Sequence, residues 1–115
     1  MAALVEEKGD FDFFNVSFSV GGGMPFAMQQ ADMTWEQAPF VHYAAEIKKA
    51  TKGIPIFAVC RIIDPQVAND IIGTGKADMV VMTRAHIADP EIGRKLMEGQ
   101  PFDIRQCIGS NAGCG

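Results

Sequence analysis

The chain has 115 residues, 48% of them apolar and 21% charged, with a formal net charge of −4. That composition suits one soluble globular domain with a modest core, and the acidic balance argues against a general nucleic-acid or anionic-membrane surface. No apolar run approaches the roughly 20 residues that span a bilayer, the first residues carry acids where a secretory leader carries bases, and three cysteines make no disulfide framework; the expectation is a cytoplasmic protein.

Residues 2–9 read as the end of a helix, with Gly9 as its stop. Phe11 to Ser17 is aromatic and β-prone, so a strand is expected. Residues 18–38 lose periodicity. They contain Gly21-Gly22-Gly23, a weak phosphate-loop signal because no Gly-Lys-Ser/Thr follows. A loop this long is functional or disordered. Trp35 with Met24, Met28 and Met33 could line a substrate mouth, or belong to a loosely packed loop.

From Pro39 to Lys52 helical spacing returns, with Val41, Ala44, Ala45 and Ile47 on one face and Gly53 as the stop. A strand over 54–60 follows. Asp64 is a natural N-cap and Pro65 a natural first helical residue. Val67, Ala68, Ile71 and Ile72 form the buried stripe of that helix. The strand over 78–83 is apolar after Asp78, as expected when both faces are covered. Asp89-Pro90 repeats the cap before a helix with Ile92, Leu96 and Met97 inward, Glu91 and Lys95 paired, and Gly99 as the stop.

Strands alternate with helices, so the class is α/β with a parallel sheet of about three strands and right-handed crossovers. A closed (β/α)8 barrel takes roughly 250 residues. The two Asp-Pro units look like successive spokes of such a barrel, which predicts a C-terminal part of a larger enzyme. Each strand of the repeated unit ends in an arginine, Arg61 and Arg84. The guanidinium fork suits phosphate, and barrels often bind phosphate after their last two strands. His42 and His86 have no partner at metal or triad spacing and read as structural or solvated, with a supporting role open to His86.

Four stretches carry a resemblance in their order and spacing: Val59-Cys60-Arg61-Ile62-Ile63-Asp64-Pro65, Lys76-Ala77-Asp78-Met79-Val80, Arg84-Ala85-His86-Ile87-Ala88-Asp89-Pro90 and Asp103-Ile104-Arg105-Gln106-Cys107-Ile108-Gly109. Together they resemble the C-terminal third of the flavin barrel in the old yellow enzyme superfamily, nearest its trimethylamine dehydrogenase and 2,4-dienoyl-CoA reductase branch. Phe13-Phe14-Asn15-Val16-Ser17 is similar to that family's sixth strand. The resemblance implies a partial TIM (β/α)8 barrel over residues 1–106, with the FMN phosphate held by Cys60-Arg61 and Thr83-Arg84. The family usually has glycine before each arginine; Cys60 and Thr83 stand there in this chain.

It also implies that residues 107–115 begin an iron–sulfur segment. Cys107-Ile108-Gly109-Ser110-Asn111-Ala112-Gly113-Cys114 resembles C-x2-C-x3-C with serine at the middle ligand. A [4Fe–4S] cluster takes four thiolates, so Cys107 and Cys114 read as an incomplete set, whereas a full-length parent would carry the cluster. That parent would be an FMN-dependent oxidoreductase using NAD(P)H and a small-molecule substrate. Its catalytic acid would come from earlier strands, so no catalytic residue and no turnover are expected of this chain alone. Open sheet edges predict a homo-oligomer or a missing barrel half as partner. Two alternatives stand beside this reading: a non-enzymatic truncated paralogue that binds no flavin and needs a partner chain to fold, and a fragment of a different phosphate-binding barrel.

Overall fold

The computed structural model describes residues 1–18 and 30–112. The Gly21-Gly22-Gly23 run, Met24, Met28 and Cys114 lie outside the described residues. The elements are α1 (Ala2–Glu6), β1 (Phe14–Val16), α2 (Val41–Ala50), β2 (Ile56–Val59), α3 (Pro65–Gly73), β3 (Met79–Val81), α4 (Thr83–Ala88), α5 (Ile92–Met97) and a 3-10 turn (Pro101–Asp103). The three strands form one parallel sheet in the order β1-β2-β3. The expected α/β class and the strand–helix alternation are both found.

The strands are shorter than the sequence suggests, because ladder pairing ends before the apolar runs do. β2 sits in the middle and buries Ile56 and Ala58, at 0% and 1% exposure. The core gathers Ala44 of α2, Ala68 and Ile71 of α3, and Ile62 and Ala77 from the flanking loops around them. Asp78 sews the layers together. Its N–H donates to the Ile56 carbonyl at 2.8 Å, its Oδ2 accepts the Ile56 N–H at 2.9 Å, and its Oδ1 accepts Lys48 Nζ of α2 at 2.8 Å. The Lys48 hydrogen bond and then the Ile56 N–H hold that carboxyl below its usual range.

α3 forms as expected. The Asp64 carboxylate accepts the Gln66 N–H at 2.8 Å, with Pro65 as the first helical residue. Its stripe is narrower than predicted: Ala68 and Ile71 are buried, but Ile72 is exposed. β3 departs from expectation too, since Met79 is exposed. Among the described residues nothing covers that face of the edge strand. α2 stops at Ala50, before Gly53, because Thr51 turns to an extended conformation while its hydroxyl and N–H both donate to the Ile47 carbonyl.

The second Asp-Pro unit is built differently from the first. Residues 83–88 form α4, where the sequence suggested the end of a strand and a loop, so Thr83, Arg84 and His86 are all helical. α5 begins at Ile92, two residues after Pro90. Asp89 does accept the Glu91 N–H at 3.1 Å, but it is buried and also bonds Lys95 Nζ at 2.6 Å. Lys95 is therefore taken by Asp89, and Glu91 pairs with Arg94 instead.

Candidate functional site: the carboxyl ends of the second and third strands

The sheet register creates the site. Val59 and Val81 are partners in adjacent parallel strands, about 4.8 Å apart in the pairing direction. The residues that follow them, Cys60-Arg61 on one side and Met82-Thr83-Arg84 on the other, therefore emerge together. The matching strand ends expected from the sequence are neighbours in space.

The backbone at these ends is unusual. Cys60 has φ +93° and Arg61 φ +48°, both in the region that glycine adopts freely and other residues disfavour. The Cys60 side chain is buried, 8% exposed, so the thiol is turned away from solvent. On the other side, Thr83 opens α4. The N–H groups of a helix's first turn have no intrahelical acceptor, and those of Thr83 and Arg84 meet no backbone acceptor among the described residues.

Both arginines reach across the strand ends to hold chain segments. Arg61 Nε donates to the Trp35 carbonyl at 2.8 Å. Its Nη1 is buried and has no acceptor among the described residues. The guanidinium lies so close to Gly109 that a Cβ there would collide with it. Asp32 sits nearby. Its carboxyl is held below its usual range by the Thr34 hydroxyl at 2.6 Å and the Thr34 N–H at 2.9 Å, with Arg61 adding to the effect.

Arg84 Nη1 donates to the Ala31 carbonyl at 2.8 Å and to Asn111 Oδ1 at 2.6 Å. Asn111 Nδ2 in turn donates to the Gln30 carbonyl at 2.9 Å. Residues 30–35 and 109–111 thus meet at the strand ends. Gln37 closes the same side, its Oε1 accepting the N–H groups of Asp64 at 2.9 Å and Ile63 at 3.3 Å.

Asp89 anchors the approach of the tail. It accepts the Arg105 N–H at 2.9 Å, and Lys95 spans from it to the Asp103 carbonyl at 2.8 Å. The Lys95 hydrogen bond and then that of Arg105 lower the Asp89 pKa to about 2. Further along, Cys107 is half-buried, Ser110 is exposed, and the free thiols among the described residues are Cys60 and Cys107. No group of three or more histidine, cysteine or acidic side chains capable of holding a metal occurs among the described residues. His42 lies in α2 against Tyr43, and His86 Nδ1 bonds the Met82 carbonyl at 3.0 Å.

The roles of Asn111, Gly109, Gln37 and Asp89 were not read from the sequence. Asp89 carried a signal only as a helix cap, and Asn111 and Gly109 only as residue types that accept a left-handed backbone; the last two adopt φ +56° and +70°.

A family model described as NADH:flavin oxidoreductase / NADH oxidase matches residues 24–103. The chain belongs to this family. It is 38% identical over 115 residues to the N,N-dimethylglycine/sarcosine dehydrogenase of Chromohalobacter salexigens, covering 96% of this chain and 16% of that protein. It is 39% identical over 114 residues to the NADH oxidase of Thermoanaerobacter brockii, covering 99% and 17%. It is 46% identical over 110 residues to a probable N-methylproline demethylase of Rhizobium meliloti, covering 93% and 16%. A solved structure of 2-naphthoyl-CoA reductase superposes with a TM-score of 0.78 at 31% identity, over 97% of this chain and 16% of that one. The chain therefore spans about one sixth of the length of the curated relatives it matches. Its three parallel strands are an arc of the (β/α)8 barrel of these flavin oxidoreductases.

Proposed function

We propose that the chain is the portion of an NAD(P)H:flavin-type oxidoreductase that holds the FMN phosphate. One observation carries this reading: the Val59–Val81 register brings Cys60-Arg61 and Thr83-Arg84 side by side at the carboxyl ends of two parallel strands, where α/β barrels bind phosphate. The residues present suit an anion. Arg61 Nη1 is a buried donor without an acceptor among the described residues, and Arg84 has donors beyond its occupied Nη1.

Each group then has a task. The first-turn N–H groups of Thr83 and Arg84 and the backbone after Val59 would cradle the phosphate oxygens. The arginines would supply positive charge while holding residues 30–35 and 109–111 around the site. The flavin, when bound, supplies hydride exchange with NAD(P)H or a reduced substrate. The resemblance puts the catalytic acid on earlier strands of the barrel, so we expect no turnover by this chain alone.

Residues 1–106 would form the barrel segment and 107–115 the start of the iron–sulfur segment, with the other strands supplied by the rest of a parent enzyme or by a partner chain. Cys107 and Cys114, with Ser110 between them, do not provide four thiolates, so no electron step is assigned to a cluster here. One observation favours the alternative of a chain that binds no flavin: Cys60 occupies φ +93°, where a glycine would let the backbone approach a phosphate without strain.

The test is direct. The purified chain is titrated into FMN and the flavin absorbance and fluorescence are recorded. Saturable quenching supports the reading. A colourless protein that leaves FMN fluorescence unchanged sinks it and leaves the non-flavin alternative.

A further inference from the structure

Arg84 and Asn111 form a two-residue clasp across the strand ends. Both N–H bonds of Arg84 Nη1 are used, one on the Ala31 carbonyl and one on Asn111 Oδ1. Asn111 spends its own amide N–H on the Gln30 carbonyl. The two side chains thus grip adjacent carbonyls of one strand-end loop while gripping each other. Each is half-buried, where such bonds are stronger than in water.

The clasp leaves a particular edge of Arg84 free. A guanidinium has five N–H donors in a fixed plane. With the two on Nη1 taken, three remain, on Nε and Nη2. No acceptor meets them among the described residues. An arginine side chain is otherwise free in four torsions, and ordering it on binding costs affinity. Fixing one corner of the fork removes most of that freedom before a ligand arrives. The plane of the remaining donors is set by the atoms that hold Nη1.

We infer that Asn111 is a positioning residue for phosphate recognition: it fixes Arg84 through Nη1, so that the Nε and Nη2 edge is presented ready-made to the phosphate of the flavin nucleotide. This rests on the flavin-phosphate reading above. Asn111 itself makes no contact with the ligand. It lies on the tail, 27 positions from Arg84, so the tail takes part in the site through this residue. Linkage makes the effect reciprocal: a phosphate that holds Arg84 also holds the tail in place.

FMN and riboflavin share the ring and differ in the phosphate, which separates positioning of Arg84 from general damage. We expect Asn111→Ala to weaken FMN binding about tenfold, what one charge-assisted hydrogen bond is worth, and to leave riboflavin binding unchanged. Arg84→Ala should do the same, and the double variant should lose no more than the worse single one. Equal weakening of FMN and riboflavin, or additive losses, overturns the role. Amide exchange without flavin provides the second measurement. Asn111→Ala should speed exchange in residues 30–31 and 109–112, and unchanged protection there overturns the clasp. If neither chain binds any flavin, the flavin reading falls, and the role of Asn111 with it, whatever the exchange data say of the clasp.

Discussion

Lys95 Nζ lies 2.6 Å from Asp89 Oδ2, and the same carboxylate oxygen accepts the Arg105 N–H at 2.9 Å. One buried carboxylate therefore ties the turn after α4 to the side chain of α5 and to the backbone that leads into the tail. Neither partner is adjacent to it in sequence.

The acid response of the protein follows from this. The folded-state pKa of Asp89 is depressed to about 2 from an ordinary value of 3.8. The stabilisation is fully present above the ordinary value and is lost as the pH falls through that interval, when the carboxylate must take up a proton. Urea unfolding midpoints should decline between about pH 4 and pH 2. Asp89→Asn should be less stable at neutral pH and show a shallower decline. An unaltered slope in that variant would assign the acid response to other carboxylates.

Ile56 is fully buried at the centre of the sheet. Truncation to alanine leaves a cavity and should destabilise the chain by about 2–5 kcal/mol. Against a typical total of about 5–15 kcal/mol, the urea midpoint should fall steeply. Met79→Ala, at an exposed position on an edge strand, should change it by no more than about 0.5 kcal/mol. Similar losses in both variants would mean that the exposed face of β3 is covered in solution.

Gly109 combines φ +70° with a close approach to the Arg61 guanidinium and the Met33 N–H. An alanine there meets both backbone strain and a collision. Gly109→Ala should cost at least about 1 kcal/mol, whereas Gly93→Ala, in α5 with open space at the Cβ position, should stabilise by about 0.5–1 kcal/mol. Thermal melts of the pair check the contrast, and an alanine tolerated at 109 would remove the tail from beside Arg61.

Cys60 offers a test of backbone strain separate from its thiol. Cys60→Ala and Cys60→Gly both delete the sulfur, and only alanine keeps the Cβ at φ +93°. A left-handed conformation costs a residue bearing a Cβ about 1–2 kcal/mol, more than the roughly 0.4–1 kcal/mol by which glycine's looser unfolded chain disfavours it. The glycine variant should therefore be the more stable of the two by urea denaturation. The reverse order would show that the strand end relaxes to a negative φ.

What the sequence revealed and what it concealed divide by range. The Asp64-Pro65 cap was legible because its chemistry lies within three residues, Asp64 to Gln66. The identical dipeptide Asp89-Pro90 was legible in part: Asp89 Oδ1 makes the same bond to the Glu91 N–H, but the helix starts only at Ile92, and the bonds of Oδ2 to Lys95 and Arg105 are non-local. α4 escaped notice because it is six residues long, has no side-chain cap and starts two positions after a strand. The two arginines were legible as matching strand ends. Their partners were not, because Trp35, Ala31 and Asn111 lie 26, 53 and 27 positions away, and neither periodicity nor spacing records contacts of that kind.

The hold of Arg61 on the Trp35 carbonyl has an experimental use. Trp35 is the chain's single tryptophan. Its indole is part-exposed, packs against Phe40 at 5.4 Å between ring centroids, and shares a residue with the carbonyl that anchors the strand-end arginine. The molecule thus carries one native tryptophan fluorophore, fastened to the place where ligands are expected. Its emission can follow strand-end events with no label attached and no second tryptophan to dilute the signal.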